Sequence, residues 1–330
     1  MKVKGKRVFA FLGIVLCFLM LCVCVECDAG EKVSLVMNWL PCIDHAVYAV
    51  GLKQGFYKDE GIDLTIEAAK GSELSTKAVA SGSYLFGQAS AETVLIARSK
   101  GMPLKVLLIT QQDTPVAIFS LRNIRLRKPK DMEGKSLASD PSSMKQRQFE
   151  LFCQLNKVDM TKIKINPIKG ADLAHILNGS SDTMLAFSYI GEATLQKEGK
   201  KFNEIKLAEY GVSMYSLSLI TTDKVVNERP DLVKRFVAAT LKGWDYAVRH
   251  PQETVEALIS LYPEMKREDQ LPQIYGVLAL MQSNDTRKHG LGWQTQERWS
   301  DLQDLLYTMK LLENKIDIRD VYTTAFYPNK

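Results

Sequence analysis

The sequence predicts an α/β protein of two lobes with a helical tail, and three observations carry that expectation. Between residues 33 and 121, short aliphatic runs alternate with stretches of helical periodicity, the rhythm of a mainly parallel sheet. A polar stretch at 122–134, containing Pro129, interrupts this rhythm before a second alternating unit begins. From residue 227 onward the periodicity is helical alone. The expected organisation is lobe 1 over 28–121 and 216–330, the latter holding the C-terminal helices, and lobe 2 over 122–215. The chain crosses between the lobes twice, and a cleft lies where their strand ends face each other.

The amino terminus stands apart. Lys2, Lys4, Lys6 and Arg7 precede an uncharged apolar run over 8–25, and small residues follow near Ala29. A basic start, an apolar middle and a small-residue end read as a secretory signal over 1–27. The same run of 18 residues also suits an uncleaved anchor, and Cys24 or Cys27 a lipid attachment. Cleavage after Cys27 leaves 303 of the 330 residues, enough for two ordinary lobes. Four basic residues and Glu26 leave with the segment, so the formal charge falls from +5 to +2. The basic balance is therefore a targeting feature, and no nucleic-acid partner is expected. Four of the six cysteines lie at or before position 27. Cys42 and Cys153 are too isolated to form a disulfide framework or a metal site, and they read as buried free thiols.

The opening strand comes from 33–45, where an apolar run ends at Asn38, Trp39 and Pro41. A helix is expected over 46–61, a strand over 62–67 and a helix over 73–81. Gly71 and Ser72 turn the chain into that last helix, exposing backbone N–H groups or simply capping it. Strands follow at 84–87, 104–110 and 116–121, with a helix running to Lys100. In the second unit, strands are expected at 136–139, 163–167, 184–187 and 205–208. Helices alternate with them at 144–156, 172–177 and 192–198. A strand at 216–221 suits the return crossing. The tail holds a long helix with one apolar stripe (Leu232, Val233, Phe236, Val237, Leu241, Trp244 and Val248), with Pro230 at its start and Pro251 beyond its end. Further helices are expected at 254–260, 270–281 and 296–312.

Ligands of open α/β sheets bind beyond the carboxyl ends of strands, which selects the candidate site residues. Trp39 offers a face to stack on a flat ring, or belongs to the core. Asn38 offers two donors and an acceptor, or caps its turn. His45 begins a helix on the ligand side, or caps it. Ser72, Ser90 and Ser139 follow strands and can donate to a polar ligand. Tyr189 and Tyr215 are candidate walls from the second lobe, and Trp293 is a rim or packing residue. Glu192 reads from its position as a carboxylate stabilised at a helix start. No short spacing among His175, His250 and His289 suggests a metal, so no metal and no cofactor is expected.

Six segments in register carry a resemblance across essentially the whole mature chain: NWLPCIDHAVYAVGLKQGFYKDEGIDL at 38–64, GSELSTKAVASGSYLFGQAS at 71–90, KPKDMEGKSLA at 128–138, YIGEATLQKEG at 189–199, RPDLVKRFVAATLKGWDYAVRHPQETV at 229–255, and HGLGWQTQERW…VYTTAFYP at 289–328. The chain resembles the solute-binding proteins of ABC importers, in the group that includes the nitrate, sulfonate and taurine receptors and the thiamine-pyrimidine-precursor receptors. The resemblance implies a two-lobed, type II periplasmic-binding-protein fold with a hinge. It also implies a small-molecule ligand, a permease partner in the membrane, a monomer and a periplasmic or other extracytoplasmic location. Trp39, Pro41 and His45 match the turn of the pyrimidine-precursor branch, while Cys42 stands where that branch has an asparagine. Glu192 matches its ring-reading carboxylate, with Gly191 in place of the preceding tryptophan.

The expected function is capture of a small aromatic or heterocyclic nutrient, first a thiamine pyrimidine precursor, by hinge closure. Riboflavin-like rings, sulfonates and aromatic carboxylates are the alternatives. The resemblance also extends to fungal pyrimidine synthases, which carry a Cys-Cys-Cys-Phe-Cys iron-site run. The chain has no such run, and no nucleophile–base pair is visible in the sequence, so no enzymatic role is expected.

Overall fold

The computed structural model describes residues 30–169 and 173–328. The expected signal or anchor over 1–27, with its four cysteines, lies outside the described residues, as does Asp172 at the start of one expected helix. Among the described residues, no helix is long and apolar enough to cross a membrane.

The first sheet begins with strand β1 (Glu31–Met37) and β2 (Ile62–Ala68), paired in parallel from Glu31↔Ile62 to Met37↔Ala68. β3 (Phe86–Ser90) joins β1 in parallel on the other side. β4 (Leu104–Ile109) lies at the far edge. The strand order is β2-β1-β3-β10-β4, where β10 (Leu217–Thr222) arrives from the second half of the chain and runs antiparallel to both neighbours. The second sheet repeats the plan in the order β7-β6-β8-β5-β9. It contains β5 (Val116–Leu121), β6 (Ser136–Ser139), β7 (Lys164–Pro167), β8 (Thr183–Phe187) and β9 (Phe202–Lys206). Here β5 is the antiparallel insertion, between β8 and β9.

Each sheet has thus received one strand from the other side of a crossing. The expected lobe 1 range of 28–121 includes β5, yet β5 is hydrogen-bonded wholly within the second sheet, so strand pairing moves the first crossing to 110–115. A buried aliphatic run signals a strand without saying which sheet receives it. The two crossings are bonded to one another. Ser216 N–H donates to the Gln111 carbonyl at 3.0 Å, and Asp113 Oδ1 accepts from Met214 N–H at 2.9 Å.

Helices cover both faces of each sheet, which is why the strands read as near-continuous apolar runs. On one face of the first sheet pack α1 (Ala46–Lys53), α2 (Phe56–Asp59) and the tail helices over 223–280, while the last long tail helix, over 296–308, packs on the opposite face. The expected single helix over 46–61 is broken at Gly55, whose φ of 78° ends α1 and starts α2. The other face carries α3 (Ser72–Ala80) and α4 (Ala91–Ser99). The second sheet is covered by α5 (Met144–Leu155) on one side. The short α6 (Ala174–Leu177) and α7 (Ser188–Lys197) cover the other. The tail comprises α8 (Asp223–Glu228), α9 (Pro230–Arg249), α10 (Pro251–Leu261), α11 (Arg267–Leu280), α12 (Asn284–His289) and α13 (Gln296–Thr308). α9 buries the expected stripe, stacking Phe236 on Phe86 of β3 with ring centroids 3.9 Å apart. It crosses α1 so closely that a Cβ on Gly243 would lie 3.0 Å from the Gly51 Cα.

The tail also reaches the second lobe. α11 packs on α7, where Lys197 pairs with Asp269 at 2.5 Å and a Cβ on Gly276 would lie 2.4 Å from the Tyr189 Cβ. The cysteines Cys42 and Cys153 are free, and Cys153 is fully buried in the second lobe's core.

Candidate functional site

The parallel strands of both sheets end on one cleft of about 1300 Å³ between the lobes. Its first wall follows from the end of β1. The ladder with β2 continues one step beyond the strands, Ala69 N–H donating to the Met37 carbonyl and Gly71 N–H to the Asn38 carbonyl, each at 2.9 Å. The chain then leaves the sheet at Pro41 and closes a 3-10 turn over Ile43–His45 before α1. Asn38 and Trp39 line the cleft. Trp39 is 53% exposed, and the Asn38 amide makes no side-chain hydrogen bond with another described residue. A large apolar ring left half in solvent beside an unpaired amide suits a ligand face and edge.

The ends of β2 and β3 supply the next wall. Gly71 takes a φ of 126°, a conformation that favours glycine, and swings the chain into α3. Ser72 and Ser90 both face the cleft. Ser72 Oγ accepts the Ser90 backbone N–H at 3.0 Å, and Ser90 Oγ bonds Thr93 Oγ1 at 2.8 Å. Their hydroxyls therefore fix the loop first and meet a ligand with what capacity remains.

Asp44, which the sequence did not single out, is the best-connected polar group here. Gln111 Nε2 donates to its Oδ1 at 2.8 Å, Tyr189 Oη to its Oδ2 at 2.9 Å, and Cys42 Sγ to the same oxygen at 3.8 Å. Burial pushes its carboxyl up to about 6, against the pull of Tyr189, Cys42 and Gln111. Asp44 belongs to the first lobe, Gln111 to the crossing and Tyr189 to α7 of the second lobe, so one carboxyl ties three parts of the molecule. Burial and the adjacent Asp44 charge hold the Cys42 thiol well above its usual range, which leaves it protonated and inert.

The second lobe offers the β8–α7 junction and the start of α5. Phe187, Tyr189 and Ile190 line the cleft at the junction. At α5, Ser143 caps the helix by accepting the Gln146 N–H, and Lys145 reaches over the Phe187 ring at 5.1 Å. Arg147 and Gln148 also line this wall. Thr114 in the crossing donates to Gln148 Oε1 at 2.6 Å. Lys145 and Arg147 thus bring two cations to the cleft from a second-lobe helix.

Five of the ten expected site residues thus meet in the cleft: Asn38, Trp39, Ser72, Ser90 and Tyr189. His45, Ser139, Glu192, Tyr215 and Trp293 are not among the residues that line it. His45 is 2% exposed behind the wall, its Nε2 3.6 Å from Cys42 Sγ and its Nδ1 without a partner among the described residues, and burial lowers it to about 3. Glu192 is corrected by one helical turn. The helix expected from 192 begins at Ser188, which carries Glu192 around to pair with Lys206 of β9 at 3.1 Å. Gly191 faces the second sheet, where a Cβ would lie 2.4 Å from the Phe119 ring. Tyr215 is buried, its Oη accepting the Thr295 N–H at 3.0 Å and its ring edge-on to Trp299 and under Arg298. Trp293 packs between His289 and Tyr327 rather than at a rim.

Besides Asp44, sequence reasoning missed Glu92, Gln111 and Lys145, all lining the cleft. Glu92 had a signal: a charged residue on an otherwise apolar, buried face of α4.

The chain is similar in sequence and fold to several known proteins. The family described as NMT1/THI5 like matches residues 42–254. The riboflavin-binding protein RibY of Chloroflexus aurantiacus is 22% identical over 305 residues, covering 90% of this chain and 86% of its own. The formylaminopyrimidine-binding protein of Halalkalibacterium halodurans is 22% identical over 330 residues, covering 96% and 98%. A 4-amino-5-hydroxymethyl-2-methylpyrimidine phosphate synthase of Legionella pneumophila is 24% identical over 307 residues, covering 91% and 93%. Among solved structures, the periplasmic aliphatic sulphonate binding protein SsuA of Escherichia coli superposes with a TM-score of 0.70 at 14% identity, covering 91% of this chain and 94% of its own. The fold is therefore the two-lobed periplasmic-binding-protein fold that the sequence led us to expect.

Proposed function

The chain belongs to the NMT1/THI5-like family, and from that premise we propose that it is the extracytoplasmic solute-binding component of an ABC importer. It captures a small planar heterocycle, first among them a thiamine pyrimidine precursor, and presents the closed complex to a membrane permease. The observation that carries this reading is the pairing across one cleft of the exposed Trp39 ring and the unpaired Asn38 amide with Phe187 and Tyr189 of the other lobe. Aromatic faces on two lobes and a few convergent polar groups between them are what a flat, hydrogen-bonding ring requires. A ligand touching both lobes favours the closed state over the open one, and no covalent step is needed.

The supporting relatives bear names that include riboflavin-binding and formylaminopyrimidine-binding proteins, both near full length. A thermal-shift screen of the chain without its first 27 residues, against pyrimidines, flavins, alkanesulfonates and aromatic acids, tests the proposal. A ligand at about 100 times its Kd stabilises the folded protein by about 2.7 kcal/mol, enough to raise the melting temperature by several degrees. A pyrimidine is expected to give the largest rise. Turnover of a bound compound would replace this reading with an enzymatic one.

A further inference from the structure

The cleft contains a second carboxyl, Glu92, that none of the contacts above employs. It sits in the first turn of α4, 8% exposed, with the residue lining the cavity wall. It makes no ion pair among the described residues. Lys100, which caps the end of α4 on the same stripe, lies about two turns away, about 12 Å by helical rise. The Ser90 hydroxyl and the Glu92 backbone N–H are the groups that favour its charge, and Ser90 is already engaged by Thr93. Asp44 differs: three donors from three parts of the protein fill its oxygens.

A buried carboxyl with vacant acceptor capacity is costly unless something donates to it. Among the described residues, Ser90 is the one side chain that does so. We infer that Glu92 is a specificity-determining residue of the cleft, accepting hydrogen bonds from the amino-substituted edge of a nitrogen heterocycle and excluding anionic ligands from that subsite. The chemistry fits on three counts. An exocyclic amino group donates an N–H to one carboxyl oxygen, and the ring nitrogen beside it accepts the proton that the neutral carboxyl carries on the other. A sulfonate or carboxylate presents acceptors alone and meets a like charge once Glu92 ionises. A uracil-type flavin edge offers one N–H between two carbonyl oxygens and satisfies the carboxyl in part. Burial raises Glu92 to about 7, with its own backbone N–H and Ser90 pulling the other way, consistent with a group that waits for a partner.

This inference deepens the proposed function and rests on it. The test is calorimetric titration of the protein with a 4-aminopyrimidine, the matched 4-methylpyrimidine, riboflavin and an alkanesulfonate, repeated with Glu92→Met. The wild type is expected to prefer the amino compound to its methyl analogue by at least about tenfold, since a buried acceptor left without a donor is penalised. Glu92→Met, of similar length and without a hydrogen-bonding acceptor of comparable strength, is expected to shrink that preference to less than about threefold while it still unfolds cooperatively in urea. Equal affinity of the wild type for the amino and methyl compounds overturns the role of Glu92 and leaves heterocycle binding standing. So does an undiminished preference in a folded Glu92→Met variant. Tightest binding by the sulfonate overturns the heterocycle reading and this inference with it. Binding of none of the four compounds overturns the solute-binding reading itself and this inference with it.

Discussion

The Tyr189 hydroxyl donates to Asp44 Oδ2 at 2.9 Å, so a single buried hydrogen bond joins α7 of the second lobe to the loop that ends β1 in the first. Gln111 holds the other oxygen of the same carboxyl from the crossing. The lobes are latched through one group that both a hinge residue and a distant helix depend on.

Removing the donor tests the latch. Tyr189→Phe keeps the ring packed beside α11 and deletes the bond to Asp44. A hydrogen bond to a charged partner contributes about 1.5–3 kcal/mol, and the variant is expected to lose about that much stability in urea unfolding. Small-angle scattering of the unliganded variant should give a larger radius of gyration than the wild type. An unchanged radius with unchanged stability would remove Asp44–Tyr189 from the closure mechanism.

The same carboxyl sets a pH dependence. Its pKa is about 6 in the folded protein against an ordinary value of 3.8. The folded state therefore holds more protons than the unfolded chain between those values. The stabilisation is fully present below pH 3.8 and is lost as pH rises through 6. His45 acts in the opposite direction, since burial lowers it to about 3 from 6.5 and stability at this site rises with pH across that window. Asp44→Asn removes the first contribution and leaves the second. Relative to the wild type, this variant is expected to gain stability steadily between pH 4 and 6.5, measured by denaturant titration at each pH. A flat difference between the two proteins would show that Asp44 does not titrate in this window.

Trp39 separates binding from folding. Its ring is half in solvent and in no hydrogen bond among the described residues, so Trp39→Ala is expected to change stability by less than about 0.5 kcal/mol. Loss of a stacking wall should weaken ligand binding by at least about tenfold, equivalent to about 1.4 kcal/mol. Unchanged affinity in calorimetry would move the ring's partner elsewhere in the cleft.

Gly191→Trp distinguishes two readings of the second lobe. If position 191 faced the ligand, the substitution would build the aromatic wall of the pyrimidine-precursor branch. The structure places it against Phe119, with a Cβ 2.4 Å from that ring. The variant is expected to lose about 3 kcal/mol or more and to gain no affinity, checked by urea unfolding and calorimetry.

Much of the fold was legible because it is local. The alternation over 33–121 and the stripe of α9 both appear as expected, and most boundaries shift by a few residues. What failed depended on phase and on distance. Four residues of error at the start of α7 turned Glu192 from the cleft to Lys206. β5 was recognisable as a strand, but its membership of the second sheet is decided by pairing with β8 and β9, which no local pattern encodes. At the site, the stretch 33–45 was found through Trp39 and Pro41, yet its most connected residue was passed over. Asp44 acquires its role from Gln111 and Tyr189, 67 and 145 residues away.

The central claim is that the two lobes close on a small heterocycle. Scattering measurements on the protein without residues 1–27, with and without a saturating pyrimidine whose stoichiometry is fixed by calorimetry, address it most directly. The account expects one ligand per chain and a radius of gyration no larger with ligand than without, together with a lost response in Trp39→Ala. Absence of binding by any pyrimidine, flavin or sulfonate, or steady consumption of the compound during titration, would contradict it.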